Sequence, residues 1–401
     1  MAYEVGALRA LDHAMAGRDV NSFDVYIGTS AGAIITACLA AGIGTASLSQ
    51  ALAGTLPSFP RLHRFAVYRP NLGEIGGRAA RDAMILAGGV MQSWRRREWS
   101  PLSDSAASLV SLLPAGIFTT RGLASYVRQM VAIAGIDDSF ASLEKELYVI
   151  ATEVETGERV VFSNSSHPQV PLSQAVAASA AVPVLFRPVE IAGHRYLDGA
   201  ITGQAAIDIA VQRRARLVLV VNGLVPINTN DIAGKATAEG ARRTIYDRGM
   251  RGIQNQVLRN AHHESLTSHL QLLRERHQDV DFVLLEPRPD DEKMPFHQAM
   301  SFDARLIVMQ HGYESMAAEL LGNWSQYLQL FRSHGVELTP DVIVKRSEPI
   351  PAGRMTARPK ILRQLRHTVL DRRLRQRPRH EGGSGEMAPT GRALEHPEAT
   401  S

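Results

Sequence analysis

The sequence predicts an α/β fold, and three observations carry that class. A short apolar strand, Val25 to Ile27, runs directly into Gly28-Thr29-Ser30-Ala31-Gly32 and then into an apolar helical run over residues 31–41. A second run, Ala215-Arg216-Leu217-Val218-Leu219-Val220-Val221-Asn222, is apolar enough for a buried parallel strand. Between and after these lie stretches of helical spacing and two clear hairpin patterns.

Taken in order, Val5, Leu8 and Leu11 share a helix face, and Gly17 is expected to stop that helix. The strand at 25–27 and the helix at 31–41 follow. Residues 56–120 differ: Pro57, Pro60, Pro70, Pro101 and Pro114 interrupt them, and they hold Trp94-Arg95-Arg96-Arg97-Glu98-Trp99. They read as an insertion or lid-like segment over the site. The Trp94–Trp99 cluster suits a lipid headgroup layer or, as a charge run, a solvated loop. A helix is expected over 122–134 and a strand over 147–154. Thr156-Gly157-Glu158 turns the chain back into a strand at 159–162. Small residues at 172–181 predict a helix lying close to a sheet and ending before Pro183. Val189-Glu190-Ile191 and Arg195-Tyr196-Leu197, joined at Ala192-Gly193, form a second hairpin that ends in Asp198-Gly199-Ala200. A long helix over 236–276, a core strand at 281–285 and helices near 303–321 and 324–334 complete residues 1–345.

Beyond 345 the pattern fails. Residues 354–380 carry ten Lys/Arg against Asp371, so the basic pI of 9.3 belongs to this tail rather than to the slightly acidic body. Ile361, Leu362, Leu365, Val369, Leu370 and Leu374 fall roughly on one helical face, so residues 346–401 read as a basic amphipathic or disordered tail. Charge is all that favours nucleic acid as a partner, and none is expected. The lone cysteine, Cys38, reads as a small buried residue, and one cysteine cannot close an intramolecular disulfide. There is neither a leader-like start nor an apolar run of the ~20 residues that span a bilayer. The expectation is a cytoplasmic protein, with peripheral membrane contact through the Trp94–Trp99 region or the tail left open.

Chemistry concentrates at Ser30. A strand that reverses into a helix within one tight turn strains the serine backbone and lifts its hydroxyl out of the sheet. Gly28 and Gly32 are expected to flank it because a Cβ at either place would collide across the turn. The turn also aims the next helix's first N–H groups, Ala31 foremost, at an oxyanion. A serine nucleophile needs a base. His311 and His297 are the best histidines for a triad. Yet only 27 residues precede Gly28-Thr29-Ser30-Ala31-Gly32, too few for the upstream units of that architecture. Asp198 is the alternative base. It ends a hairpin strand, and Gly199 and Ala200 allow close approach to the elbow, although Asp-Gly is also an ordinary turn pair.

Together these residues resemble the patatin-like phospholipases. The match runs through Tyr3 to Leu11, Gly28-Thr29-Ser30-Ala31-Gly32-Ala33, Ala151-Thr152 to Glu158, and Ala178-Ser179-Ala180-Ala181-Val182-Pro183 on to Tyr196-Leu197-Asp198-Gly199-Ala200. The resemblance covers roughly residues 1–325. It implies a three-layer α/β/α fold around a central, mostly parallel sheet. It implies Ser30 as nucleophile, Asp198 as base, a lipid or phospholipid ester as substrate, and neither metal nor other cofactor. One departure stands out. Family members open with an apolar strand and a glycine-rich loop that supplies oxyanion N–H groups, and this sequence opens at Met1, past that loop. The expectation is therefore a natural start further upstream, and the rival expectation an impaired relative acting as a lipid- or partner-binding scaffold.

Overall fold

The computed structural model describes residues 1–60, 62, 64–71, 114–202, 206–228, 244–287 and 304–345. The Trp94–Trp99 cluster, His297 and the tail from residue 346 lie outside them.

The chain opens with α1 (Ala2–Ala14), which gives way to a two-residue strand β1 (Met15–Ala16). β2 (Val25–Thr29) leads through Ser30 into α2 (Ala31–Ala40), followed by α3 (Thr45–Ala53) and the short α4 (Arg64–Val67). β3 (Arg69–Pro70) and β4 (Gly116–Thr119) come from the Pro-interrupted region, and α5 (Arg121–Ile133) follows. Next are β5 (Glu146–Glu153), β6 (Arg159–Phe162), α6 (Leu172–Ser179), β7 (Val184–Phe186), β8 (Val189–Ile191) and β9 (His194–Asp198). The described chain ends with α7 (Ile207–Gln212), β10 (Leu217–Val221), α8 (Gly249–Arg276), β11 (Asp281–Leu285), α9 (Arg305–Gly322), α10 (Trp324–Ser333), β12 (Glu337–Leu338) and α11 (Asp341–Lys345).

Two expected boundaries move, each for a physical reason. The first helix stops at Ala14 rather than at Gly17, because Met15 and Ala16 pair antiparallel with Leu338 and Glu337. A distant strand, rather than the glycine, ends the helix. The long helix runs over Gly249–Arg276, and residues 236–243 of its expected span lie outside the described residues. Gly249 has φ +63°, so a helix cannot run through it, and Tyr246–Arg248 form a separate 3-10 turn.

The central strands pair in the order β2-β5-β9-β8, with β6 on β5. β2 and β5 are parallel, as are β10 and β11, whereas β6, β8 and β9 join antiparallel as hairpin partners. Strand periodicity sorts side chains into two cores. Leu147, Val149 and Ala151 of β5 point into the larger core, with α1, α2, α5, α6 and α9. The alternate residues Tyr148 and Ile150 face Ile209 of α7 on the other side. β10 and β11 obey the same rule: Leu217, Leu219, Val283 and Leu285 pack with the larger core, and Val218 and Phe282 with Leu266, Leu270 and Leu273 of α8. This is a three-layer α/β/α arrangement whose helical layers cover both strand groups.

Between those groups the sheet is open. Among the described residues β2 pairs only with β5 and β10 only with β11. Their other edges face one cavity of about 870 Å³, lined by Val25, Tyr26 and Ile27 on one wall and Leu217, Leu219 and Val221 on the other. Met1–Glu4 border the same cavity. α1 is fixed from behind by α9. A Cβ on Gly6 would lie 1.9 Å from the Met309 carbonyl oxygen, and one on Gly312 would lie 2.2 Å from that of Tyr3. The two helices therefore cross at backbone contact.

Candidate active site

Ser30 sits where β2 ends and α2 begins, at φ 56° and ψ −125°. That backbone region is sparsely populated for any residue with a Cβ, and it is held here by neighbours. The first is Gly28, where a Cβ would lie 2.1 Å from Thr36 Oγ1 and 2.5 Å from Ala33 Cα. Only glycine lets β2 pass this close under α2. Gly32 is different from what the motif suggested. A Cβ there would meet nothing within 4 Å, so Gly32 is not a steric requirement of the turn. It lies in the first turn of α2 and points into open space.

The second neighbour is Ser179, the last residue of α6. It is fully buried, and its Oγ accepts the Ser30 N–H at 2.9 Å. This bond satisfies the amide that the strained turn would otherwise strand. Sequence reasoning passed over Ser179 as one more small residue of a sheet-packing helix. The available signal was a lone hydroxyl in a buried alanine run, just ahead of Pro183. Removing it in Ser179→Ala leaves the Ser30 N–H without that acceptor. We expect a loss of about 1–3 kcal/mol in urea unfolding, together with slower modification of Ser30 by a serine-directed probe.

The Ser30 hydroxyl donates to Asp198 Oδ2 at 2.5 Å. Asp198 is only 3% exposed and closes β9. Ala151 of β5 pairs with it in the ladder, its own N–H donates to the Ala181 carbonyl at 3.0 Å, and Thr152 Oγ1 donates to its carbonyl at 3.1 Å. Gly199 is required next, because a Cβ there would lie 2.5 Å from the Ile150 carbonyl oxygen. The Ala200 N–H then turns back to Asp198 Oδ1 at 2.9 Å. Each carboxylate oxygen thus has one donor. Burial nevertheless dominates: desolvation pushes the Asp198 carboxyl from 3.8 up to about 6, against the opposing pull of the Ser30 and Ala200 hydrogen bonds. A hydroxyl bonded to a buried carboxylate that titrates near neutrality is arranged for proton transfer.

Ala31 is the first residue of α2 and lines the cavity beside Ser30, with its N–H in the helix's unpaired first turn. The cavity itself is predominantly apolar. Ile34, Leu123, Val182 and Phe186 contribute to it, with Leu62 and Tyr68 from the Pro-interrupted region. His311, the other candidate base within the described residues, lies on α9, while the hydroxyl of Ser30 is engaged by Asp198. Cys38 is buried in α2, and burial pushes its thiol up to about 12, as suits an unreactive core residue. Among the described residues no group of three or more His, Cys, Asp or Glu is placed to hold a metal ion. No described helix is long and apolar enough to cross a membrane.

Comparison with known proteins adds two findings. A model of the patatin-like phospholipase family matches residues 1–211. Among solved structures, VipD from Legionella pneumophila aligns at 12% identity and a TM-score of 0.30, over 79% of this chain and 64% of that one. The match spans less than two thirds of that protein's length, and likeness of this degree bears on neither fold nor activity.

Proposed function

This chain belongs to the patatin-like phospholipase family, and on that footing we propose that it hydrolyses carboxylic esters of lipids through Ser30 and Asp198. The observation that carries the reading is the 2.5 Å hydrogen bond from the serine at the elbow to a buried carboxylate poised near pH 6.

The chemistry follows from the geometry. Ionised Asp198 takes the proton from Ser30 Oγ as that oxygen bonds to the ester carbonyl carbon. The negative charge moves to the carbonyl oxygen, where the Ala31 N–H and the positive end of α2 oppose it. When the tetrahedral centre collapses, the C–O bond to the alcohol breaks and the proton on Asp198 passes to the departing alkoxide. Water then enters and gives its proton to Asp198. Its oxygen attacks the acyl-serine, and release of the fatty acid returns the proton to Ser30. The apolar side chains beside Ser30, Ile34, Leu123, Val182 and Phe186, suit an acyl chain.

A fluorophosphonate probe tests this on the full chain. Ser30 should be the labelled residue. The rate should climb about tenfold per pH unit below 6 and level off above it, because only the ionised form of Asp198 can accept the proton. Labelling of another serine, or a rate flat across pH 5 to 7, would remove the dyad. Silence at Ser30 would favour the scaffold reading.

A further inference from the structure

α8 has two apolar faces, and only one is explained by the fold. Leu266, Leu270 and Leu273 are buried against the sheet. Earlier in the helix, Arg259 and His262 turn the same way and line the cavity that holds Ser30. At 3.6 residues per turn, Met250, Ile253 and Val257 fall within an arc of about 60° on the opposite side. They are exposed: Met250 by 85%, Ile253 by 47% and Val257 by 60%, with Tyr246 at 80% in the turn just ahead. Scattered exposed apolar residues are normal on any surface. Three at helical spacing, opposite the helix's own core face, with an exposed tyrosine in the turn just ahead, form a stripe that water does not favour.

The surrounding sequence says what fits the stripe. Between residues 242 and 258 stand Arg242, Arg243, Arg248 and Arg251 against one acid, Asp247. Exposed apolar residues in a segment whose sequence carries an excess of arginine suit the boundary of an anionic bilayer, where rings and alkyl groups enter the acyl region and cations meet phosphate. α8 also packs on the 199–202 turn that follows Asp198. A membrane on its outer face would therefore lie one helix away from the cavity.

We propose that the N-terminal half of α8, with Tyr246, Met250, Ile253 and Val257, is a docking face for an anionic phospholipid surface. The choice of a lipid surface rests on the lipid-hydrolase reading, but docking needs no turnover, so a Ser30→Ala chain should dock as the parent does. This face is separate from the Trp94–Trp99 region and the tail, which lie outside the described residues.

The test uses the full chain and vesicles of phosphatidylcholine with about a quarter phosphatidylglycerol. Sedimentation is read in about 1 M NaCl, where the screening length falls to about 3 Å and the basic tail loses its attraction. The parent should remain bound. The triple variant Met250→Glu, Ile253→Glu, Val257→Glu should bind at least about tenfold more weakly, with hydrolysis of a short soluble ester unchanged. Because Cys38 is buried and is the chain's one cysteine, a Met250→Cys chain takes a nitrobenzoxadiazole dye at that position alone. Its emission should brighten and shift to the blue when vesicles are added. Equal binding by the triple variant, or bound protein whose dye still reports water, overturns the proposal. So does a concentration-dependent dimer that the triple variant abolishes while vesicles leave the dye unchanged.

Discussion

Asp198→Asn should fold, gain stability at pH 8 and lose ester hydrolysis by at least about 10²–10⁴-fold. The loss follows from removing the group proposed to accept the Ser30 proton. The gain follows from burial. In the folded chain the carboxyl holds its proton up to about pH 6, against an ordinary value of 3.8. Between those values the folded state binds more protons than the unfolded state, so folding stability falls as pH rises. The stability tied to that proton is fully present below pH ~4 and gone above pH ~6, and two pKa units amount to about 3 kcal/mol. Asparagine escapes this term. Its Oδ1 still accepts the Ala200 N–H, and its Nδ2 can donate to Ser30 Oγ. Urea unfolding of both proteins at pH 5 and pH 8 measures the effect. The variant should lead by about 1–3 kcal/mol at pH 8 and by about half as much at pH 5. An Asp198→Asn chain less stable than the parent at pH 8 would show that the carboxylate is held by more than its two hydrogen bonds.

Gly28→Ala and Gly32→Ala should differ sharply, although the two glycines are symmetric in the motif. The new methyl at 28 would lie 2.1 Å from Thr36 Oγ1, 2.5 Å from Ala33 Cα and 2.8 Å from Ala33 N. The threonine side chain can rotate away, but the α2 backbone cannot move without carrying Ser30 with it. β2 cannot retreat either, because Gly28 is paired with Val149 in the parallel ladder. We expect Gly28→Ala to lose about 3 kcal/mol or more, with little soluble protein at 37 °C. Gly32→Ala meets nothing within 4 Å and replaces a poor helix former inside α2. It should be neutral or gain up to about 1 kcal/mol. Urea midpoints of the two variants decide the matter, and equal losses would mean that the turn is not packed as described.

Much of the fold was legible because its signals are local. The hairpin ending at Asp198 turns at Ala192 and Gly193, both at positive φ, as a tight two-residue turn requires. The strand at 281–285 was read to the residue from its apolar run. Readings that depended on distant partners went astray. Gly17 is the local stop signal after the helical spacing, and nothing nearby announces that Leu338 and Glu337 pair with Met15 and Ala16 and end the helix before it. Gly32 was given a steric role because the motif pairs it with Gly28, whereas only the packing of α2 on β2 tells the two apart. Ser179 looked like helix filler because its partner, the Ser30 amide, lies 149 residues earlier in the chain.

The sequence by itself determined the elbow. Strand, glycine, serine and helix lie within a dozen residues, and short-range sterics leave them few other arrangements. It also marked Asp198-Gly199-Ala200 as the end of a hairpin. Only the tertiary structure brought the two together. The serine and the aspartate are separated by 168 residues, and the contact depends on the register that sets Ala151 opposite Asp198 and on a glycine slipping past the Ile150 carbonyl. Burial, which raises the carboxyl toward neutrality, is likewise a property of the assembled layers. A desolvation energy depends on everything packed around a group, and no stretch of sequence carries it alone.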